Sequence, residues 1–152
     1  MVGCATSSSA KHGLVAPHSG ESRGAQRNAA IDKKQIGEVL DDWHEAASAA
    51  DEERYFAHFA PDGVFMGTDA TERWDVAAFR TYAHPHFAKG KAWSFRAVRR
   101  AVMVDGELGW FDEDLATPNL GPARGSGVMR YDGKAWRIVH YNLTITVPNE
   151  RF

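Results

Sequence analysis

The sequence has one cysteine, Cys4, which excludes an internal disulfide framework and a cysteine-based metal site. It has no apolar run approaching the roughly 18 residues of a membrane-spanning helix. It has no excess of charge: the formal net value is −2. Nucleic acid is therefore not an expected partner, because phosphate binding needs a concentrated basic face. The one compact basic pair in the body of the chain, Arg99–Arg100, reads as a solvated strand edge. Large apolar residues are nearly absent from the first 30 positions, which are rich in Ser, Ala and Gly. Such a segment cannot bury enough surface to fold, so residues 1–30 are expected to form a disordered tail and residues 31–152 the domain.

What remains is ordinary for one globular domain: 152 residues, 43% hydrophobic and 25% charged. The start, "MVGCATSSSA", is similar to the end of a bacterial lipoprotein signal, with small Gly3 before Cys4. No charged and apolar segment precedes it, so the chain as given is expected in the cytoplasm. The alternative is a periplasmic lipoprotein with its signal upstream of Cys4, and only that version places it at a membrane.

The spacing of Ile36, Val39, Leu40, Trp43, Ala46, Ala47 and Ala50 predicts a first helix with one buried stripe. Asp32 with Gln35 reads as its capping box, and Ile31 with Ile36 as a hydrophobic staple. Asp51 reads as the cap of a shorter second helix that "PDG" at 61–63 breaks. "VFMG" then reads as a short strand. Asp75 caps a third helix, stapled by Trp74 to Phe79, which is expected to stop or kink near Pro85. Downstream, "KAWSFRAVRRAVMV" meets "ELGWFDEDL" across Asp105-Gly106, and "RGSGVMRY" meets "KAWRIVHYNLTITV" across Asp132-Gly133. Asp-Gly between alternating runs signals a hairpin. Helices first and a meander after predict an α+β domain.

This order, with "FAPDGVFMGTD", "GSGVMRYDGKAWRIVHYN" and the closing "VPNERF", resembles the nuclear transport factor 2-like superfamily and its SnoaL-like bacterial branch. The second stretch also resembles the association domain of calcium/calmodulin-dependent kinase. The resemblance implies a cone in which about three N-terminal helices pack on a curved antiparallel sheet with a mixed edge. It also implies a pocket on the concave face and a homodimer through the outer sheet face. The superfamily holds isomerases, dehydratases, cyclases and non-enzymatic binders, so the fold does not choose the function.

Ketosteroid isomerases of that superfamily use a carboxylate base and an oxyanion hole made of a tyrosine and a protonated aspartic acid. By the resemblance these positions fall on Gly67, Trp43 and about Gly127. None supplies the needed group, so that activity is not expected. Parity along the last strand puts Trp136, Ile138, His140 and Asn142 on one face, the concave one by the resemblance. Val139, Tyr141, Leu143 and Ile145 then lie on the other, where a dimer partner covers them. His140 is the candidate general acid or base, with Asp69 or a carboxylate of the Asp112-Glu113-Asp114 run sharing the proton.

That run has two readings: Glu113 faces in with Phe111 and Leu115, or Asp112 and Asp114 face in with Trp110. Asp69 and Glu72 are candidates for the pocket mouth. Arg124 is either an anion anchor or a partner of the acidic run. Trp43, Met66, Trp74, Phe87, Met129 and Trp136 are candidates for the apolar wall. "HPH" at 84–86 lacks a completing ligand and is not read as a metal site, and no cofactor is expected. Three readings stand: a pocket domain for a small, largely apolar ligand; a lyase, isomerase or hydrolase using His140; and a structural oligomerisation domain.

Overall fold

A computed structural model describes residues 27–152. The tail reading and Cys4 fall mainly on residues 1–26, outside the described part. Helix α1 (Ala29–Ser48) starts earlier than its sequence signals suggest. Asn28 is the cap, its side-chain oxygen accepting from the Ala30 N–H at 3.0 Å. Asp32 is therefore not the cap but a buried first-turn residue, ion-paired with Arg27. Ile31 is 54% exposed and staples nothing. The buried stripe carries Ile36, Leu40, Trp43 and Ala47 as expected, and also His44.

Helix α2 (Glu52–Ala57) is capped by Asp51, which accepts from the Arg54 N–H at 3.1 Å. Strand β1 (Phe59–Met66) begins ahead of Pro61 and is longer than "VFMG". Its register shifts between Phe59 and Val64, which absorbs the proline. Strand β2 (Arg73–Asp75) leads into α3 (Val76–Ala88), where Asp75 accepts from the Ala78 N–H at 2.8 Å. Trp74 stacks on Phe79 with centroids 5.6 Å apart. The helix passes through Pro85 instead of stopping there. The lost backbone hydrogen bond falls in the last turn, where few such bonds remain to be made.

Strands β3 (Arg96–Asp105), β4 (Leu108–Ala116), β5 (Ala123–Tyr131) and β6 (Trp136–Ile145) form the meander, and a short 3₁₀ turn spans Asn149–Arg151. The two Asp-Gly hairpins form, with Gly106 and Gly133 at positive φ. The six strands lie in the order β2-β1-β6-β5-β4-β3. All neighbours are antiparallel except β1 and β6, which makes the sheet mixed at that edge. The helices cover one face, giving the expected α+β cone. Its core is aromatic: Trp43, Tyr55, Phe79 and Tyr141 are all buried.

One local irregularity decides which side chains reach that core. Between β5 and β6 the register jumps from Met129↔Ile138 to Val128↔His140, leaving Val139 as the extra residue of a bulge. Strand parity reverses there. Trp136 and Ile138 face in, and then so do Tyr141 and Leu143, while His140 and Asn142 turn to the outer face.

Candidate ligand pocket and its buried ion network

Between α1, α2, α3 and the inner face of the sheet lies a cavity of about 170 Å³. Nine of its fifteen lining residues are Phe, Trp or Tyr, and Glu72 is the single acidic one. No Lys or Arg lines it. Two of the lining groups are enclosed donors without a hydrogen-bond partner among the described residues: the Trp43 indole N–H and the Tyr55 hydroxyl. Burial pushes the Tyr55 hydroxyl well above its ordinary titration range. The Trp93 indole flanks it without reaching hydrogen-bond geometry. An enclosed polar group that lacks a partner costs about 1–3 kcal/mol, and both groups belong to residues of the cavity wall.

Behind one wall stands a network centred on Glu113, which is 0% exposed. Glu113 lies on β4 between Phe111 and Leu115, all three facing in. Its Oε1 accepts from the Tyr141 hydroxyl at 3.0 Å and lies 2.7 Å from His44 Nε2. Its Oε2 accepts from Arg100 Nε at 2.8 Å. Arg100 also donates to the Gly37 carbonyl at 3.1 Å and stands 2.9 Å from the Asp41 carboxylate. Burial works to raise the Glu113 pKa, but hydrogen bonds and charge from His44 and Arg100 outweigh it, and the group is held below its ordinary value. For Tyr141, burial first and the Glu113 charge second push the hydroxyl well above the usual phenol range.

A carboxylate at Glu113 receives the proton on His44 Nε2. The same ring lines the cavity. A histidine with one nitrogen anchored to a carboxylate and its ring on a cavity wall is the arrangement a general acid or base requires. Among the described residues no group of three or more His, Cys, Asp or Glu is placed to hold a metal ion.

The SnoaL-like domain model matches residues 36–148. The chain belongs to the SnoaL-like domain family. No curated protein matches its sequence. Solved structures agree with the fold. A nuclear transport factor 2-like protein of unknown function from Pseudomonas putida KT2440 superposes with a TM-score of 0.67 at 14% identity, covering 81% of this chain and 92% of that one. A protein of unknown function with a cystatin-like fold from Nostoc punctiforme gives 0.67 at 16% identity, covering 80% and 96%. A candidate ketosteroid isomerase from Parabacteroides distasonis gives 0.62 at 16% identity, covering 76% and 89%. At these identities the likeness concerns the fold alone.

Within this SnoaL-like domain the residues singled out from sequence divide sharply. Trp43, Glu72 and Trp74 line the cavity. Glu113 faces in, and Asp112 and Asp114 face out, where Arg99 binds both, at 3.3 and 2.7 Å. Arg124 is exposed and lies 3.5 Å from Asp114, so it is the partner of the acidic run and not an anion anchor in the pocket. Met66, His140 and Asn142 lie on the outer face and away from the cavity, because the bulge at Val139 reverses parity and Met66 pairs in register with Asn142. Phe87, Met129, Trp136 and Ile138 are buried in the core but do not line this cavity.

Asp69 is exposed and ties its own turn, accepting from the Thr71 N–H at 2.8 Å and the Thr71 hydroxyl at 2.6 Å. At Gly127 a Cβ would come within 2.1 Å of the His140 carbonyl oxygen, so no side chain fits there without moving backbone. Arg100 is not a solvated edge residue: only Arg99 of the pair points outward.

Sequence reasoning assigned no site role to His44, Tyr55, Arg100 or Tyr141, reading Arg100 as a solvated edge and Tyr141 as outward-facing. For His44 a signal existed: Ile36, Leu40 and His44 follow one another at intervals of four on the buried stripe. For Tyr141 the bulge concealed it.

Proposed function

We propose that this SnoaL-like domain binds a small, largely apolar molecule built on a single ring and carrying a hydrogen-bond acceptor. The observation that carries this reading is the aromatic cavity, two of whose wall residues carry a buried, unpaired donor, Trp43 Nε1 and the Tyr55 hydroxyl. An engineered apolar cavity of about 150 Å³ holds one benzene, so a pocket of about 170 Å³ has room for one ring. The ring is held by aromatic contact, and the acceptor meets the two donors. The direct test is native mass spectrometry of the purified protein, followed by titration with phenol or cyclohexanone read by tryptophan fluorescence. Saturable binding, weakened three- to tenfold in Trp43→Phe for one neutral hydrogen bond, supports the reading. No saturable binding of any single-ring probe sinks it.

A second reading is favoured by the His44–Glu113 pair. A base anchored by a buried carboxylate on the cavity wall suits an enzyme of lyase, isomerase or hydrolase type. In it His44, in place of His140, takes and returns a proton. In that case His44→Gln abolishes turnover of the bound molecule and leaves its affinity within a few-fold. The expected homodimer is assigned to the outer sheet face, where Trp110 is 45% and Leu108 49% exposed. A Trp110→Glu chain running as a monomer beside a dimeric parent on light-scattering chromatography supports that assignment.

A further inference from the structure

We infer that the pocket takes an organic cation: a single aromatic ring bearing a protonated amine, with the ring inside and the ammonium at Glu72. This inference rests on the pocket reading above and names the class of its ligand. The cavity wall contains one carboxylate and no Lys or Arg, and its one histidine, His44, is held by the Glu113 carboxylate at 2.7 Å, so the electrostatic bias of the wall is toward a positive guest. Glu72 has no Lys, Arg or His within ion-pair distance among the described residues. That sets it apart from Asp42, Glu52, Asp112, Glu113 and Asp114, each of which is paired. Its charge is open to a ligand.

The position of that carboxylate is built and not incidental. An ideal Cβ placed on Gly67 would lie 2.0 Å from Glu72 Oε2, so the carboxylate occupies the space that any side chain at position 67 would need. Gly67 itself lines the cavity. The connecting loop is cross-tied. The Gly67 N–H donates to the Glu72 carbonyl at 3.0 Å, and the Glu72 N–H to the Asp69 carbonyl at 3.0 Å. The Asp69 N–H donates to Glu72 Oε2 at 3.2 Å, and Asp69 is itself pinned by Thr71. The glycine at 67 thus permits a carboxylate from five residues further on to reach the cavity rim.

Aromatic rings share the wall with Glu72. Trp74 and Tyr82 also line the cavity, stacked with their centroids 4.5 Å apart. An ammonium is attracted to an aromatic face, and more strongly as water is excluded. A carboxylate beside such rings adds a charge-assisted hydrogen bond that a neutral guest cannot match. The cavity volume accommodates one ring, which makes benzylamine a suitable probe and benzyl alcohol its neutral counterpart of the same shape.

The test is a chemical-shift titration of the intact chain with benzylammonium and with benzyl alcohol at pH 7, on the parent, Glu72→Gln and Gly67→Ala. The expected result is at least tenfold tighter binding of benzylammonium by the parent. Glu72→Gln reduces that preference to threefold or less while benzyl alcohol binds as before. Gly67→Ala, which displaces the carboxylate without removing it, also reduces the preference. Equal binding of the two probes by the parent overturns the cation inference and leaves the pocket reading standing. A preference that survives in both variants overturns the assignment to Glu72. Failure of both probes to bind overturns the pocket reading and this inference with it.

Discussion

Removing the Glu113 carboxylate is the sharpest test of the buried network. In Glu113→Ala the Arg100 guanidinium loses its buried partner, and His44 Nε2 and the Tyr141 hydroxyl lose their acceptor. Breaking a buried ion pair by deleting one partner costs about 3–5 kcal/mol. Arg100 keeps the Gly37 carbonyl and the Asp41 carboxylate, which places the loss near the lower end, at about 3 kcal/mol. For a domain of this size about 2–4 °C of melting temperature goes with each kcal/mol, so the midpoint falls by about 10 °C. Urea unfolding with an unchanged m-value measures the same loss at equilibrium. The double variant Glu113→Leu with Arg100→Met removes both charges and restores most of the stability, because no uncompensated ion is left inside. A loss below about 1 kcal/mol in Glu113→Ala refutes the argument, since it would mean that Arg100 is already solvated.

Acid should loosen the fold through the same group. The Glu113 pKa is depressed on folding, so its contribution is complete above the ordinary value of 4.5 and is lost as pH falls from there through the folded value; urea midpoints between pH 7 and 3 read this, and Glu113→Leu with Arg100→Met flattens that part of the profile. Tyr141 works in the opposite direction: its pKa is raised on folding, so its contribution is present below 10.0 and declines as pH rises beyond it, which alkaline unfolding scans read. Gly127→Ala drives a Cβ to within 2.1 Å of a backbone carbonyl and should destabilise by about 1–3 kcal/mol, as overpacking does; a neutral effect in chemical denaturation contradicts the close approach of β5 and β6. His140→Ala should leave the affinity of single-ring probes within twofold, since the side chain lies on the outer face, and a tenfold loss would put it back in the pocket.

Much of the architecture is determined locally and can be read from the chain alone. Helical spacing sets the stripe of α1, Asp51 and Asp75 cap their helices, and the two Asp-Gly pairs close the hairpins. Each of these rests on backbone geometry within a few residues, and the resemblance to the SnoaL-like branch holds over residues 36–148. Glu113 was half legible: alternation offered two faces for the Asp112-Glu113-Asp114 run, and the packing of Phe111 and Leu115 against the helices selects one. Three features were decided by tertiary structure. The bulge at Val139 arises from pairing β6 with β5, so no pattern within β6 announces that His140 turns out and Tyr141 turns in. The pairing of His44 with Glu113 joins residues 69 apart, brought together when α1 lies across the sheet. The carboxylate at the pocket rim comes from Glu72 filling the space left by Gly67, a relation set by how the loop folds back and not by either residue alone. Periodicity determines which elements form, because it acts along the chain. Which polar groups meet inside is a matter of register and docking between elements, and those exist only once the chain has folded.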